Sequence, residues 1–170
     1  MTPVWLLDID GVINALSSRL PNRDWPVGGW REVEAESAHG IRWPILAAQP
    51  VLDFIALVHD TGRAEIRWHT SWQGFANNVS RSLGLPEFAV QPAPEFDEPL
   101  SFTWWKLPAA HRVLMEEGRR LIWTDDDATS EMTRAEMRHL KTLGQALLLC
   151  PDTMTGLRQR HLQRIEDFLA

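Results

Sequence analysis

One cysteine, Cys150, stands in the 170-residue sequence. It excludes an internal disulfide framework and a cysteine-rich zinc site, and it suits a reducing compartment. A basic excess is missing too: 17 Lys and Arg against 23 Asp and Glu leave a net charge of −6. Broad nucleic-acid surfaces neutralise many phosphates with cations, so none is expected here, although a local basic pocket stays open as an option. No apolar run approaches the roughly 20 residues that span a bilayer, so no membrane association is expected. Asp8 follows only a handful of apolar residues, too few for a secretory signal core. Together with the lone cysteine this makes a cytoplasmic protein the expectation. There is no internal repeat, no low-complexity tract, no linker and no His-Glu-x-x-His zinc spacing. Tyrosine is absent, whereas tryptophan occurs nine times.

What remains is an ordinary globular composition, 44% hydrophobic and 24% charged. A chain of this length buries a real core, and a single domain over 1–170 is the simplest organisation. The most informative stretch is Val4-Trp5-Leu6-Leu7-Asp8-Ile9-Asp10-Gly11. A short apolar run, read as a buried strand, stops in two carboxylates spaced i, i+2. Alternation along a strand would aim Asp8 and Asp10 the same way, and Gly11 allows a sharp turn and a close approach to a ligand. The same residues are also ordinary turn chemistry. A calcium loop is a poor match, because the further acids at alternate positions and the late Glu are missing.

Downstream, residues 17–29 read as loop, broken by Pro21, Pro26, Gly28 and Gly29. Two extended runs, 30–36 and 41–43, flank a turn at 37–40 and suggest a small β flap inserted at 14–45. A helix starts at Pro50 and ends at Gly62. Residues 64–69 form a strand candidate ending in Thr70-Ser71. Trp72, Phe75, Ala76, Val79 and Leu83 have helical spacing, with Gly84 as the stop. A short strand at 88–90 and a proline-rich loop follow. Thr103 can cap a helix to about 118 with Lys106 in its first turn. Residues 120–124 read as a strand ending in Asp125-Asp126-Asp127, then come a helix at 130–143, a strand at 146–150 and a last helix capped by Thr155. Strand and helix thus alternate about five times. That predicts a Rossmann-like three-layer α/β/α domain with a mainly parallel sheet.

Ligands of such sheets sit beyond the carboxyl ends of the strands. The residues expected there are Asp8, Asp10, Thr70, Ser71, Asp125, Asp126 and Asp127, with Lys106 at a helix start. Hard oxygen ligands hold Mg²⁺, which neutralises a phosphate. A carboxylate can attack it and form an aspartyl-phosphate. A second carboxylate can serve as acid and base, while an ammonium and a hydroxyl stabilise the phosphoryl oxygens. Each residue alone also has a plainer reading: Thr70 as a helix cap, Lys106 as a surface lysine, and the Asp triplet as turn and cap residues. The histidines His69, His111, His139 and His161 are scattered and read as surface or structural.

Asp8-Ile9-Asp10-Gly11-Val12, Thr70 after a strand, Lys106 at a helix start and Asp125-Asp126 after a strand come in one order across most of the chain. This ordered set resembles the haloacid dehalogenase-like (HAD) superfamily, in a small, minimally capped form. The resemblance implies Asp8 as nucleophile and Mg²⁺ ligand. Asp10 would be general acid/base and lend its backbone carbonyl to the metal. Thr70 and Lys106 would hold the phosphoryl group, with Asp125 completing the metal shell and Asp126 a further or alternative ligand. Ser71 competes with Thr70, and the Asp triplet leaves the register of the last motif open by one position.

The function implied is a Mg²⁺-dependent phosphatase acting on a phosphorylated metabolite, nucleotide or nucleic-acid end. More loosely, Asp8 to Asn14 together with Trp68-His69-Thr70-Ser71-Trp72 resembles small HAD domains associated with RNA repair systems. Trp25, Trp30, Trp43, Trp72, Trp104 and Trp105 fall in the insertion or beside the motif residues. They either stack on a base or pack the core and flap. Two other readings stand beside this one. A non-catalytic HAD-like module could bind a phosphate or a protein partner. A phosphoacceptor receiver domain carries a similar residue set, but its phosphorylated Asp ends a middle strand, where this chain has Thr70.

Overall fold

The structure, a computed structural model, describes residues 1–17, 23–93, 104–142 and 145–170. A five-stranded parallel sheet has the order β5-β4-β1-β6-β7: β1 is Val4–Leu7, β4 Glu65–Trp68, β5 Ala89–Val90, β6 Leu121–Thr124 and β7 Ala146–Leu149. The fold is the expected α/β one. A separate antiparallel hairpin joins β2, Trp30–Glu36, to β3, Arg42–Ala48, and is the flap read from the sequence, with its second strand longer than expected.

β1 is wholly buried, and its side chains alternate between two apolar layers. Trp5 and Leu7 pack with Val51, Leu52 and Ile55 of helix α1 (Gln49–Asp60), Val79 and Leu83 of α2 (Ala76–Leu83), and Ile165 of α6 (Gln159–Leu169). Val4 and Leu6 face Leu107 and Ala110 of α3 (Leu107–His111), with Ala128 of α4 (Ala128–Glu131) and Leu140 of α5 (Arg134–Thr142) in the same layer. The hairpin belongs to the first layer through Ile45 and Ala47. It is fastened to α2: Arg31 donates to the Leu83 carbonyl (2.6 Å), Asn78 to that of Glu36 (2.7 Å) and Ser82 to that of Glu34 (2.8 Å). No helix among the described residues is long and apolar enough to cross a membrane.

Four boundaries differ from expectation, each for a local reason. The helix expected from Trp72 begins only at Ala76, because Gln73 takes a φ of +46° and its side-chain amide turns back to the Thr70 carbonyl (2.8 Å). Phe75, expected inward, is exposed in consequence. The helix after Lys106 passes from α3 into a π-helical turn, Arg112–Glu116; Thr103, its expected cap, lies outside the described residues. The helix expected over 130–143 is two, α4 and α5, separated where Thr133 and Glu136 cap each other reciprocally (2.7 and 3.2 Å). The last helix is not capped by Thr155, which belongs to a tight turn closed onto the Asp152 carbonyl. α6 starts after Arg158, whose backbone N–H donates to His161 Nδ1 (3.1 Å).

Candidate functional site

The sheet order places β1 between β4 and β6, so the three segments that leave these strands meet at one edge. β1 runs into Asp8, β4 into His69-Thr70 and β6 into Asp125-Asp126. Backbone bonds fix the first exit: Asp8 N–H donates to the Thr124 carbonyl (3.1 Å), and the Ile9 carbonyl collects the N–H groups of Val12, Ile13 and Asn14. At the centre stands Lys106. Its Nζ donates to Asp8 Oδ2 (2.5 Å) and Asp125 Oδ2 (2.6 Å), and it lies 5.5 and 5.6 Å from the Trp104 and Trp105 ring centres. All three charged groups are buried.

One ammonium does not balance the site. Asp8, Asp125 and Asp126 each offer a carboxylate oxygen within 4.8 Å of the others. Burial pushes the Asp125 carboxyl up to about 8, helped by the charge of Asp8. Burial likewise raises Asp8 and Asp126. It works against the Lys106 ammonium as well, but the two carboxylates outweigh it and hold the lysine above its ordinary range. An all-oxygen, surplus-anionic donor set of this kind fits a hard divalent cation. Asp126 is steered by Thr153, whose hydroxyl donates to Oδ2 (2.6 Å). Gly11 makes room for it: at φ +68°, a Cβ there would lie 2.0 Å from Asp126 Oδ2.

Thr70 is fully buried, and its hydroxyl works with Lys106 to lower the Asp8 carboxyl against the effect of burial. Ser71 is exposed and lines the cavity mouth, so of the two hydroxyls Thr70 is the one in contact with the carboxylate. Asp125 and Asp126 both reach the cluster, whereas Asp127 is exposed and its carbonyl receives the N–H groups of Ser130 and Glu131. Asp10 departs from the simple alternation. The chain has already turned, and its carboxylate lies outside the three-carboxylate group. Asn14 donates to Oδ1 (2.8 Å) and Trp72 to Oδ2 (2.9 Å). Asp10 and Asp8 nevertheless line one cavity of about 240 Å³.

Three supporting residues carried no clear signal in the sequence. His69 is buried, and its Nε2 lies 2.9 Å from the Lys106 carbonyl. A carbonyl only accepts, so Nε2 carries the proton; burial and the nearby ammonium pull this imidazole down to about 3, which keeps it neutral. Asn14 ties two parts together: its Oδ1 accepts from the Leu46 N–H of β3 (2.8 Å) while its amide holds Asp10. Thr153 comes from the segment after β7. Asn14 and His69 stood inside stretches already singled out, though neither for this role; Thr153 did not. The chain matches no family model and no curated protein.

Proposed function

We propose that the chain is a metal-dependent phosphohydrolase of HAD-like type that works through an aspartyl-phosphate on Asp8. The observation that supports this best is the Asp8–Lys106–Asp125 arrangement, with Asp126 in reach and the buried Thr70 beside Asp8. A plain phosphate-binding site has no use for several carboxylates, which repel the ligand unless a cation intervenes. A Mg²⁺ ion held by Asp8, Asp125 and Asp126 would supply that positive charge to the phosphoryl oxygens.

The chain's own residues then divide the work. Lys106 and Thr70 neutralise and orient the Asp8 carboxylate and face the oxygens on which charge builds. A carboxylate oxygen of Asp8 forms a bond to phosphorus as the bond to the leaving oxygen breaks. Asp10, fixed by Asn14 and Trp72, gives that oxygen its proton. Water then attacks the acyl phosphate, Asp10 takes the water's proton, and Asp8 is restored as phosphate departs. Trp104 and Trp105 limit water around Lys106.

The test is phosphate release from an aryl phosphate and from mononucleotides, with Mg²⁺ or with EDTA, beside Asp8→Asn. Release that needs the metal and disappears in Asp8→Asn is expected. Release that survives Asp8→Asn would refute the nucleophile, and none from any substrate by a folded, metal-binding chain would refute hydrolysis.

A further inference from the structure

The phosphoryl site opens sideways into a second cavity of about 450 Å³. The two share Asp10, Leu16 and Ser71, so they adjoin, and a ligand with its phosphate at the carboxylates has room to extend into the second. The Trp43 indole, Pro44, Leu16 and Trp72 form the apolar part of its wall, with Asp10, Asn14, Ser37 and Ser71 the polar part. Its volume lies in the range of small-molecule sites.

The nine tryptophans sort themselves by what they already touch. Trp5, Trp68 and Trp123 are fully buried, Trp104 stacks on Trp123 (5.2 Å, 14° between planes), Trp105 meets His69 edge-on (5.6 Å), and Trp25 and Trp30 pack on the core. Trp72 is spent on Asp10. Trp43 alone is more than half exposed, at 52%. It is not loose: its Nε1 donates to Ser37 Oγ (3.0 Å) across the hairpin turn. β3 is anchored to the acidic turn through Asn14, and the hairpin to α2 through three further hydrogen bonds. A held ring with an open face costs little ordering when a second ring lies on it.

Polar edges around the cavity are mostly consumed. Asn14 uses its amide on Asp10 and its carbonyl on Leu46, Ser37 receives Trp43 and donates to Ile41, and the Trp43 N–H is taken. Of the side chains in the lining, the exposed Ser71 hydroxyl is what is left to read the hydrogen-bonding edge of a base. What the site offers is a face for stacking, which every base can use.

We propose that the Trp43 cavity is a leaving-group subsite for a nucleotide, in which the base stacks on the Trp43 indole while its phosphate lies at Asp8 and Lys106. This rests on the phosphohydrolase reading only for what happens to the phosphate. A free mononucleotide and the terminal nucleotide of a strand share the chemistry.

Binding tests the subsite apart from turnover. Adenosine and uridine monophosphates, glycerol 2-phosphate and a phosphate-ended oligonucleotide are titrated calorimetrically, in the presence of Mg²⁺, into Asp8→Asn, and into Asp8→Ala should that variant fold poorly. Both nucleotides are expected to bind more tightly than glycerol phosphate. Trp43→Ala should shrink that preference by roughly 5- to 100-fold, the range of one stacked base, and Trp43→Phe should keep most of it. Tighter binding of the oligonucleotide than of the mononucleotides assigns the base to a strand end, and weaker binding assigns it to a free nucleotide. No ring preference in the parent, or a preference untouched by Trp43→Ala, overturns the subsite. Trp43-dependent binding without any phosphate release refutes hydrolysis and leaves the subsite standing; release without ring preference does the reverse.

Discussion

Trp72 holds Asp10: the indole Nε1 donates to Oδ2 across 2.9 Å, from 62 positions further along the chain. The contact exists because the turn at Gln73 postpones α2 and leaves Trp72 free to swing toward the acidic turn. Trp72→Phe keeps the ring and deletes the donor. Hydrogen bonds to charged groups contribute roughly 1.5–3 kcal/mol, so kcat for phosphate release should fall about 10- to 100-fold with little change in KM. Steady-state kinetics decide it, and an unchanged kcat would remove Trp72 from the positioning of Asp10.

The surplus of carboxylates should make stability depend on a divalent cation. At 100 times its Kd, Mg²⁺ should add about 2.7 kcal/mol, a rise of roughly 5–10 °C in Tm for a chain of this size. Asp125→Asn should erase most of that rise. A melting curve indifferent to Mg²⁺, Mn²⁺ and Ca²⁺ would count against any metal at Asp8, Asp125 and Asp126.

Lys106→Met removes the only ammonium in contact with Asp8 and Asp125 among the described residues. Breaking a buried ion pair costs about 3–5 kcal/mol. Chemical denaturation in EDTA should show a loss of that order, and added Mg²⁺ should recover a larger part of it than it adds to the parent. Equal recovery in both chains would mean that lysine and cation do not compete for the same carboxylates.

Two glycines separate backbone strain from crowding. Gly11 and Gly40 both have positive φ, +68° and +72°, but only at Gly11 would a Cβ meet another atom, Asp126 Oδ2 at 2.0 Å. Gly40→Ala should cost about 1–2 kcal/mol from the left-handed backbone alone. Gly11→Ala should cost more and should also abolish the Mg²⁺-induced rise in Tm. Equal costs, with the metal response intact, would show that Asp126 moves aside freely.

His69 links stability to pH. Its folded value, near 3, lies below the ordinary 6.5. Between those values the unfolded chain binds more protons, so this contribution is complete above 6.5 and fades as pH falls toward 3. His161, drawn down to about 4 by burial, acts in the same direction. Asp125, raised to about 8, acts oppositely across the same window. The comparison of His69→Asn with the parent isolates the imidazole: its unfolding free energy should fall less steeply from pH 7 to pH 5. Parallel curves would place a charged imidazole in the folded state.

β1 and β6 and their ends were readable because each is a short apolar run stopped by an acid, at Leu7-Asp8 and Thr124-Asp125. The hairpin was readable from the turn at 37–40. Helix starts were not, where a single side chain overrode periodicity: Gln73 delayed α2, and His161 rather than Thr155 served the start of α6. Asp8, Thr70, Lys106 and Asp125 were nominated by position alone, and the parallel order β4-β1-β6 is what brings them into contact. His69 and Thr153 act by holding Lys106 and Asp126, roles that exist only between distant segments and leave no local pattern. The two tempting readings of the tryptophans divide residue by residue, with most of them in the core and Trp43 on an open wall.

β1 lies in the middle of the sheet, yet both strands beside it come later in the chain. During synthesis its two edges therefore stay unpaired until Glu65–Trp68 and then Leu121–Thr124 have emerged. A half-made chain possesses Asp8 but neither the ammonium nor the second carboxylate that give it a role. The carboxylate–ammonium cluster is thus incomplete on the ribosome and forms only with the closing of the sheet. For the same reason, a cut between β4 and β6 leaves neither half with the whole cluster, and the proposed activity should appear only if the two fragments re-associate across β1.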